Sequence, residues 1–363
     1  MATLEDYGYT DGVRRRFESH FHAPFPAPRP AADPARAPEP EPAPAPVPET
    51  ELQGLRPARV VRVDRRQLLL AEAGGLLSVP AAGSAAVGDW VALSGSPGRV
   101  EGVLPRTGVL QRKKAHDPLS QAQIVAANVE VALIAVPIDR PLSTNRLERS
   151  LVAARDSGAR PLVVLTKADL TGVHDAVVGA TVQEAGTAEV ITTSALTGDG
   201  CETLADSLRP GETCVLVGPS GAGKSSLVNA LVGGQVQDTG RVRAGDGKGR
   251  HTTTARTLIP LGDGVVLIDT PGLRGFALWD ADEGLDAEFG DITDLASGCR
   301  FRDCAHDGEP GCAVAAALAD GSLEPRRFAS YQRMATELAA LHRRQDAARR
   351  SPAGHSRNSG RPR

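Results

Sequence analysis

A glycine-rich segment in the middle of the chain restricts its fold more than any other feature. Residues 218–225 read Gly-Pro-Ser-Gly-Ala-Gly-Lys-Ser and fit the pattern G-x-x-x-x-G-K-[ST]. An apolar run (residues 214–217) precedes them, and a helix-like run (residues 225–232) follows. This is the strand–loop–helix context that a phosphate-binding loop requires. The sequence therefore predicts an α/β unit that binds a nucleotide at the end of a buried strand.

Each residue type in this loop has a chemical role. Glycines let the backbone wrap around an anion and turn several N–H groups inward, and the following helix adds its positive end. Lys224 is expected to reach the β- and γ-phosphates, and the Ser225 hydroxyl is expected to bind Mg²⁺. The predicted nucleotide-binding residues of the loop are Gly218, Pro219, Ser220, Gly221, Ala222, Gly223, Lys224, Ser225 and Ser226.

Two later segments are expected to contact the metal and the γ-phosphate. Asp269 follows the apolar run 265–268, and its carboxylate at a strand end can hold Mg²⁺ through water. Three residues on, Gly272 can offer its backbone N–H to the γ-phosphate. The glycine-rich segment 245–254 is typical of a switch loop, and we favour Thr253 as the threonine that completes the Mg²⁺ shell. Ser225, Thr253 and Asp269 are thus the predicted magnesium ligands.

Two segments earlier in the chain predict which nucleotide base the site binds. Thr166-Lys-Ala-Asp169 follows the apolar run 161–165, and Asp169 can accept the N1–H and N2–H₂ bonds of guanine, a donor pair that adenine lacks. The Lys167 stem can lie over the base and ribose. After residues 190–193, Ser194-Ala-Leu196 is similar to a loop that offers a backbone N–H to guanine O6. The predicted guanine-binding residues are Thr166, Lys167, Ala168, Asp169, Ser194, Ala195 and Leu196.

The order of these segments is the reverse of that in common GTPases. The base-reading segments precede the phosphate loop, but a doubly wound sheet tolerates this because the site needs loops at the strand ends and not a fixed chain order. We therefore predict a circularly permuted α/β GTPase domain over residues 116–280. Its strands are expected at residues 129–138, 161–165, 190–193, 213–217 and 265–268, with helices at 146–155 and 225–232.

A cysteine and histidine cluster predicts a metal site beyond this domain. Cys299, Cys304, His306 and Cys312 supply three thiolates and one imidazole within 14 residues. Four protein ligands fill a tetrahedral Zn²⁺ shell, so one structural zinc is expected, with no position open for catalysis. The odd total of five cysteines does not suggest a disulfide scaffold. We predict a zinc-binding α-helical domain at residues 281–345, with helical spacing over 325–350.

Composition sets the expectations for the rest of the chain. Residues 1–50, rich in Pro and Ala, are expected to form a disordered arm, either a spacer or a docking segment. Short apolar runs divided by turn residues predict a β-barrel at residues 51–115, with Arg106, Arg112, Lys113 and Lys114 as a basic edge that is either solvated or contacts RNA.

The net charge of −3 hides ten arginines from residue 326 onward, so residues 346–363 are expected to be a basic disordered tail. With no long apolar run and no basic-then-apolar start, we expect a cytoplasmic monomer without membrane contact.

Taken together, these motifs strongly resemble the circularly permuted RsgA/YjeQ family of GTPases that depend on the small ribosomal subunit. Further similar segments are Val87-Gly-Asp-Trp90, Arg106-Thr-Gly-Val-Leu-Gln-Arg-Lys-Lys114, Gln123-Ile-Val-Ala-Ala-Asn128 and His251-Thr-Thr-Thr254. The resemblance covers roughly residues 51–345. It implies an N-terminal OB-fold, a GTPase domain and a zinc domain, and a protein that binds the small subunit and its rRNA, assists its late maturation and hydrolyses GTP to GDP. Thr166 stands where the family usually has Asn, so we expect a weaker hydrogen bond there.

The hydrolytic step has two alternative interpretations. Leu273 follows Gly272 where many GTPases place a glutamine that orients water, so intrinsic hydrolysis is expected to be slow. His251, beside the switch threonines, can reach the attacking water, a role also proposed within the family; alternatively, next to Arg250, it contacts RNA. Two rival functions remain open from the sequence alone: a non-catalytic checkpoint that senses GTP on rRNA, and an enzyme that uses ATP with the same loop.

Overall fold

A computed structural model describes residues 3–21, 54–81, 83–96, 98–113, 122–170, 174–234, 256–269 and 281–350 of the chain. Its centre is a mixed sheet in which five strands run parallel, and the inner strands are buried on both faces. The elements of this part are β8 (Val131–Pro137), α2 (Thr144–Asp156), β9 (Arg160–Thr166), α3 (His174–Ala185), β10 (Glu189–Thr192), α4 (Cys201–Asp206), β11 (Thr213–Val217), α5 (Lys224–Val232), β12 (Thr257–Gly262) and β13 (Val265–Asp269). Every strand and helix predicted for this region is present, with ends shifted by one or two residues.

The strand order explains where a ligand can bind. The sheet runs β10-β9-β8-β11-β13-β12, with β12 antiparallel to β13. The chain proceeds outward from β8 through β9 to β10 and then returns to the other side of β8 with β11. Strand order therefore reverses between β8 and β11, and the crevice outside the carboxyl ends of the strands at such a switch point is where open α/β sheets bind ligands.

Five antiparallel strands precede this domain and continue its sheet. They are β1 (Arg56–Val63), β2 (Gln67–Glu72), β3 (Gly75–Pro80), β4 (Trp90–Ser94) and β5 (Arg99–Val103). Their order is β3-β2-β1-β4-β5, and β1 also pairs with β12 at Arg62 and Thr257. Alternate residues such as Val60, Leu70 and Val91 are fully buried and fill the interior. The five strands thus form a small antiparallel unit whose first strand is shared with the GTPase sheet.

The start of the chain differs from the expected disordered arm. Residues 3–21 form a 3-10 turn (Glu5–Tyr7) and the helix α1 (Asp11–Phe21), which packs Phe17 into the body of the protein. The guanidinium of Arg59 donates 2.5 and 2.6 Å hydrogen bonds to the Tyr7 carbonyl and the Thr213 hydroxyl, and it lies 4.7 Å from the centroid of the Trp90 ring. Burial lowers the pKa of Arg59 to about 10. The expectation failed because the proline-rich composition begins only after these residues, whose apolar side chains can be buried.

A β-hairpin joins the antiparallel unit to the GTPase domain. It consists of the paired strands β6 (Val109–Lys113) and β7 (Ala122–Ala127). The predicted boundary between residues 115 and 116 comes between these two strands in the chain and lies outside the described residues. Beside the hairpin, the Asn128 side chain donates to the Gly88 carbonyl at 3.0 Å and accepts from the Thr107 N–H at 3.1 Å. The segments Val87–Trp90 and Gln123–Asn128 are therefore linked by hydrogen bonds at the junction between the antiparallel unit and the GTPase domain.

Arg106 serves the same junction. Its guanidinium makes two 2.7 Å hydrogen bonds to the fully buried carboxylate of Asp89. The expectation that Arg106 belongs to an exposed basic edge is therefore wrong, because the buried carboxylate needs this partner. The side chains of Arg112 and Lys113, and all of Lys114, lie outside the described residues.

The C-terminal part is helical and docks on α2. Its helices are α6 (Asp282–Glu288), α7 (Gly290–Ser297), α8 (Ala313–Asp320) and α9 (Pro325–Arg350). Gly284 packs so closely that a Cβ atom there would lie 2.3 Å from the Val152 carbonyl oxygen. Ion pairs reinforce the contact: Arg155 with Glu288 at 2.9 Å, and Arg149 with Glu337 at 2.5 Å. The predicted 346–363 tail is thus helical as far as residue 350.

In the parts of the chain described above, no helix combines the length and the apolar character needed to cross a membrane.

Candidate nucleotide and metal sites

The phosphate loop leaves β11 at the switch point and leads directly into α5. Gly221 and Gly223 have φ angles of 74° and 82°, in the left-handed region that favours glycine. A Cβ atom at Gly218 would lie 2.7 Å from the Ala135 carbonyl oxygen of β8, so only glycine lets the loop pass this strand. The Lys224 ammonium donates 2.8 and 2.9 Å bonds to the carbonyls of Gly218 and Pro219. These left-handed glycines and the close approach to β8 are what a phosphate-binding loop between a strand and a helix requires.

The predicted guanine segments meet at the neighbouring strand ends. The Ser194 hydroxyl donates a 2.6 Å bond to Oδ1 of Asp169 and accepts the backbone N–H groups of Leu196 and Thr197 at 3.3 and 3.2 Å. The Ala168 N–H donates to the Thr193 carbonyl at 3.1 Å. No hydrogen bond from the described residues reaches Oδ2 of Asp169, so that oxygen can accept one from a base.

Thr166 connects the guanine segment to the phosphate loop. Its hydroxyl donates a 2.7 Å hydrogen bond to the Ala222 carbonyl, and both residues are buried, with 3% and 0% of their surfaces exposed. A threonine can make this bond because the loop backbone approaches within reach of the short hydroxyl. The weaker hydrogen bond expected from the sequence concerns the guanine motif and stays a prediction.

Two charged residues near this site were not identified from the sequence. Asp139, two residues beyond β8, accepts a 2.5 Å bond from the Lys167 ammonium. The guanidinium of Arg140 donates to the same carboxylate at 2.9 Å and lies 3.4 Å from the Gly221 carbonyl oxygen. Burial opposes ionisation, but these hydrogen bonds keep the pKa of Asp139 below its ordinary value. An acidic residue followed by a basic one after an apolar run matches no nucleotide-binding motif. Only the topology of the sheet shows that Asp139 and Arg140 lie beside the nucleotide site.

Of the residues predicted in the later segments to contact the metal and the γ-phosphate, the structure describes Asp269. Asp269 ends β13, which pairs in parallel with β11 so that Val215 lies opposite Ile268. That register places Asp269 at the same edge of the sheet as the phosphate loop that carries Ser225. A hydroxyl and a carboxylate are oxygen donors that suit Mg²⁺. His251, Thr253 and Gly272 lie outside the described residues.

The four predicted metal ligands come together. Their ligand atoms all lie within 4.8 Å of one another, with Cys299 Sγ 3.9 Å from Cys312 Sγ. His306 Nδ1 lies 3.6 and 3.5 Å from these two sulfurs. A Zn²⁺ tetrahedron with bonds of about 2.3 Å to sulfur and about 2.0 Å to nitrogen has edges of roughly 3.8 Å between sulfurs and roughly 3.5 Å between sulfur and nitrogen. The donor set and its dimensions thus fit a tetrahedral metal ion.

The loop between the ligands is shaped by its own backbone. The Glu309 carboxylate accepts the N–H groups of Ala305 and Asp307 at 2.8 and 2.7 Å, which fixes the turn around His306. Cys312 caps α8 and accepts the Ala315 N–H at 3.3 Å. Because the N-terminus of a helix favours negative charge, this position suits a thiolate.

Comparisons with known proteins agree with this geometry. A sequence profile of the RsgA GTPase family matches residues 103–279. The protein named small ribosomal subunit biogenesis GTPase RsgA from Streptomyces coelicolor is 46% identical over 314 residues, spanning 82% of this chain and 85% of that relative. The protein of the same name from Opitutus terrae is 42% identical, over 80% of this chain and 85% of its own length.

Solved structures show the same architecture. The crystal structure of YjeQ from Thermotoga maritima superposes with a TM-score of 0.57 at 27% identity, covering 78% of this chain and 99% of that one. YloQ, described as a circularly permuted GTPase, matches with a TM-score of 0.54 at 22% identity over 83% of this chain and 98% of its own, which supports the fold. The permuted sheet, the phosphate loop and the sequence identity to these relatives establish that this chain belongs to the RsgA GTPase family.

Proposed function

We propose that this protein binds the small ribosomal subunit and its rRNA, assists late maturation of the subunit, and hydrolyses GTP to GDP and phosphate on it. One observation carries the proposal: guanine-binding segments that precede the phosphate loop in the chain are tied to it in space by the Thr166–Ala222 hydrogen bond. Curated relatives that are 40–46% identical over about four fifths of the chain are named for biogenesis of the small ribosomal subunit.

In the proposed nucleotide complex, each loop has one task. The backbone N–H groups from Gly218 to Ser226 surround the phosphates, and Lys224 exchanges its carbonyl partners for phosphate oxygens. Asp169 and the Ser194–Leu196 segment read guanine. Ser225, Asp269 and Thr253 are the proposed ligands of a Mg²⁺ ion, which would neutralise charge on the phosphates. The Gly272 N–H would bind the γ-phosphate, and His251 would orient the attacking water once the subunit is bound.

The cysteine and histidine cluster is proposed to hold one structural Zn²⁺ through Cys299, Cys304, His306 and Cys312. The metal would fix the loop between α7 and α8. On that loop Phe301 is 44% exposed, and the Arg300 guanidinium lies 5.5 Å from the centroid of its ring. An exposed aromatic ring next to arginines can stack on an unpaired RNA base while the guanidinium binds phosphate. This surface is therefore a proposed rRNA contact.

Two other regions complete the proposed RNA-binding surface. We propose that β1–β5 are an OB-fold, since β1 pairs with both β2 and β4 and β3 contacts β5, as a closed five-stranded barrel requires. The helix α9 is the second region. Its residues Arg326 and Arg327 are not part of the proposed RNA-binding surface, because they form ion pairs within the protein, with Glu148, Glu184 and Asp291. Arg333, Arg343 and Arg344 of α9 have exposed side chains and no acidic partner among the ion pairs found in the described residues, so they are proposed to contact rRNA.

The test combines nucleotide competition with subunit binding. Unlabelled GTP and GDP should displace a fluorescent guanosine nucleotide, whereas ATP should not, and a chain that binds ATP equally well would contradict the assignment of Asp169. Co-sedimentation should show GTP-dependent binding to small but not large ribosomal subunits. Because several basic side chains contact phosphate, affinity should fall steeply with salt, and a flat response would exclude those contacts.

A further inference from the structure

A single carboxylate at the switch point is hydrogen bonded to two cations, each of which borders one half of the nucleotide site. Asp139 lies between Lys167, whose ammonium is 2.5 Å from Oδ2, and Arg140, whose Nε is 2.9 Å from Oδ1. The side chains of Asp139 and Lys167 are only 25% and 28% exposed. Charge-assisted hydrogen bonds of this kind are stronger than neutral ones, and partial burial protects them from screening by salt.

Each cation in turn borders a nucleotide-binding loop. Lys167 has a left-handed backbone, with φ of 67°, and its Cγ and Cε would lie 3.9 Å from a Cβ atom placed at Gly223. Its stem therefore runs alongside the start of α5. Arg140 reaches the Gly221 carbonyl at 3.4 Å. The carboxylate thus joins the end of β8 to the guanine segment on one side and to the phosphate loop on the other.

We propose that Asp139 is a positioning residue for the guanosine nucleotide, holding the Lys167 stem in the place where it covers the base and ribose. The inference rests on the proposed function, since it requires that guanine occupies the site next to Asp169. A lysine has a long, flexible side chain, and fixing it in advance lowers the entropy lost when the nucleotide binds. The lowered pKa of Asp139 is consistent with a carboxylate that stays ionised for this task.

This role predicts a specific kinetic pattern. Base and ribose are the same in GTP, in the transition state and in GDP, so Asp139 contributes equally to the binding of all three. Losing such uniform binding raises KM and leaves kcat unchanged. The Asp139→Ala variant should therefore bind GDP about tenfold more weakly, the effect expected for a partly buried, charge-assisted hydrogen bond, and should keep its kcat within about twofold. Asp139→Asn, nearly identical in shape, should lie between wild type and Asp139→Ala.

The decisive experiment is a double-mutant cycle on the full-length protein. Dissociation constants for a fluorescent GDP are measured for wild type, Asp139→Ala, Lys167→Ala and the double variant, with Asp11→Ala as the control. Asp11 pairs with Arg14 at 2.9 Å on α1. The neighbouring Thr10 packs against Gly211, before β11 begins, so this exposed ion pair lies at the edge of the sheet opposite the phosphate loop. If Asp139 acts through Lys167, its substitution should have little further effect in the Lys167→Ala background.

Three results would overturn the proposal: an unchanged GDP affinity in Asp139→Ala, an equal loss of affinity with and without Lys167, or a fall in kcat without a rise in KM. Should Asp139→Ala lower the melting temperature strongly, the Asn variant carries the cycle instead. Failure of the underlying function gives a different result, since the wild-type protein would then fail to prefer GDP over ADP.

Discussion

Removing the Thr166 hydroxyl tests how the two halves of the nucleotide site are held together. Thr166→Val keeps the branched shape of the side chain and deletes the donor to the Ala222 carbonyl, 2.7 Å away. A buried acceptor that loses its donor costs about 1–3 kcal/mol. For a domain of this size, 1 kcal/mol corresponds to roughly 2–4 °C, so we expect the thermal midpoint of the GTPase domain to fall by about 2–12 °C.

The same substitution should weaken nucleotide binding. The hydrogen bond holds the guanine segment at the start of α5, and a loss of about 1.4 kcal/mol of this preorganisation corresponds to about a tenfold rise in the dissociation constant. Thr166→Ser is the matched control because it keeps the hydroxyl. Differential scanning fluorimetry and titration with a fluorescent GDP measure the two effects. If the Val and Ser variants are indistinguishable in both assays, the hydrogen bond does not connect the loops as argued.

Three further predictions concern the C-terminal helices. Gly284→Val should separate α6 from α2, because even a Cβ atom would lie 2.3 Å from a backbone oxygen; limited proteolysis should then cleave between the domains faster than in wild type, and an unchanged pattern would contradict the packing argument. Glu148 is 1% exposed, and burial raises its pKa above the ordinary value of 4.5, so folding disfavours its charged form. Glu148→Gln should therefore stabilise the protein at neutral pH, and this gain should disappear as pH falls towards 4.5, whereas a pH-independent effect in thermal melts would argue against a buried charge. Metal analysis should find one zinc per chain in wild type and none in Cys312→Ser, whose α8 should also lose protection in hydrogen exchange, because metal binding at such sites is coupled to folding; retention of zinc by the variant would exclude Cys312 as a ligand.

The sequence predicted the parts of the site that depend on local chemistry. A strand followed by glycines and Gly-Lys-Ser specifies its own backbone shape, so the phosphate loop could be placed before any topology was known. The same holds for the metal cluster, because the short spacing from Cys299 to Cys312 forces the ligands together. The apolar runs of β8, β9 and β11 identified the buried strands because both faces of the sheet are covered.

Contacts between distant residues could not be read in this way. The Asp139–Lys167 pair links residues 28 apart through two adjacent parallel strands, and nothing local to either residue indicates it. Arg106 appeared to belong to a basic surface, yet Asp89 neutralises it inside a junction. The proline-rich composition of residues 1–50 predicts disorder, but Tyr7 and Phe17 precede the prolines and are buried against the body of the protein.

The most direct test of the central claim is the GTP turnover rate of the purified protein with small ribosomal subunits, with large ones and with neither. The account predicts slow hydrolysis alone, a rate little changed by large subunits, and a marked increase with small subunits that disappears in the Lys224→Ala variant. Equal rates in all three conditions, or faster turnover of ATP than of GTP, would contradict it.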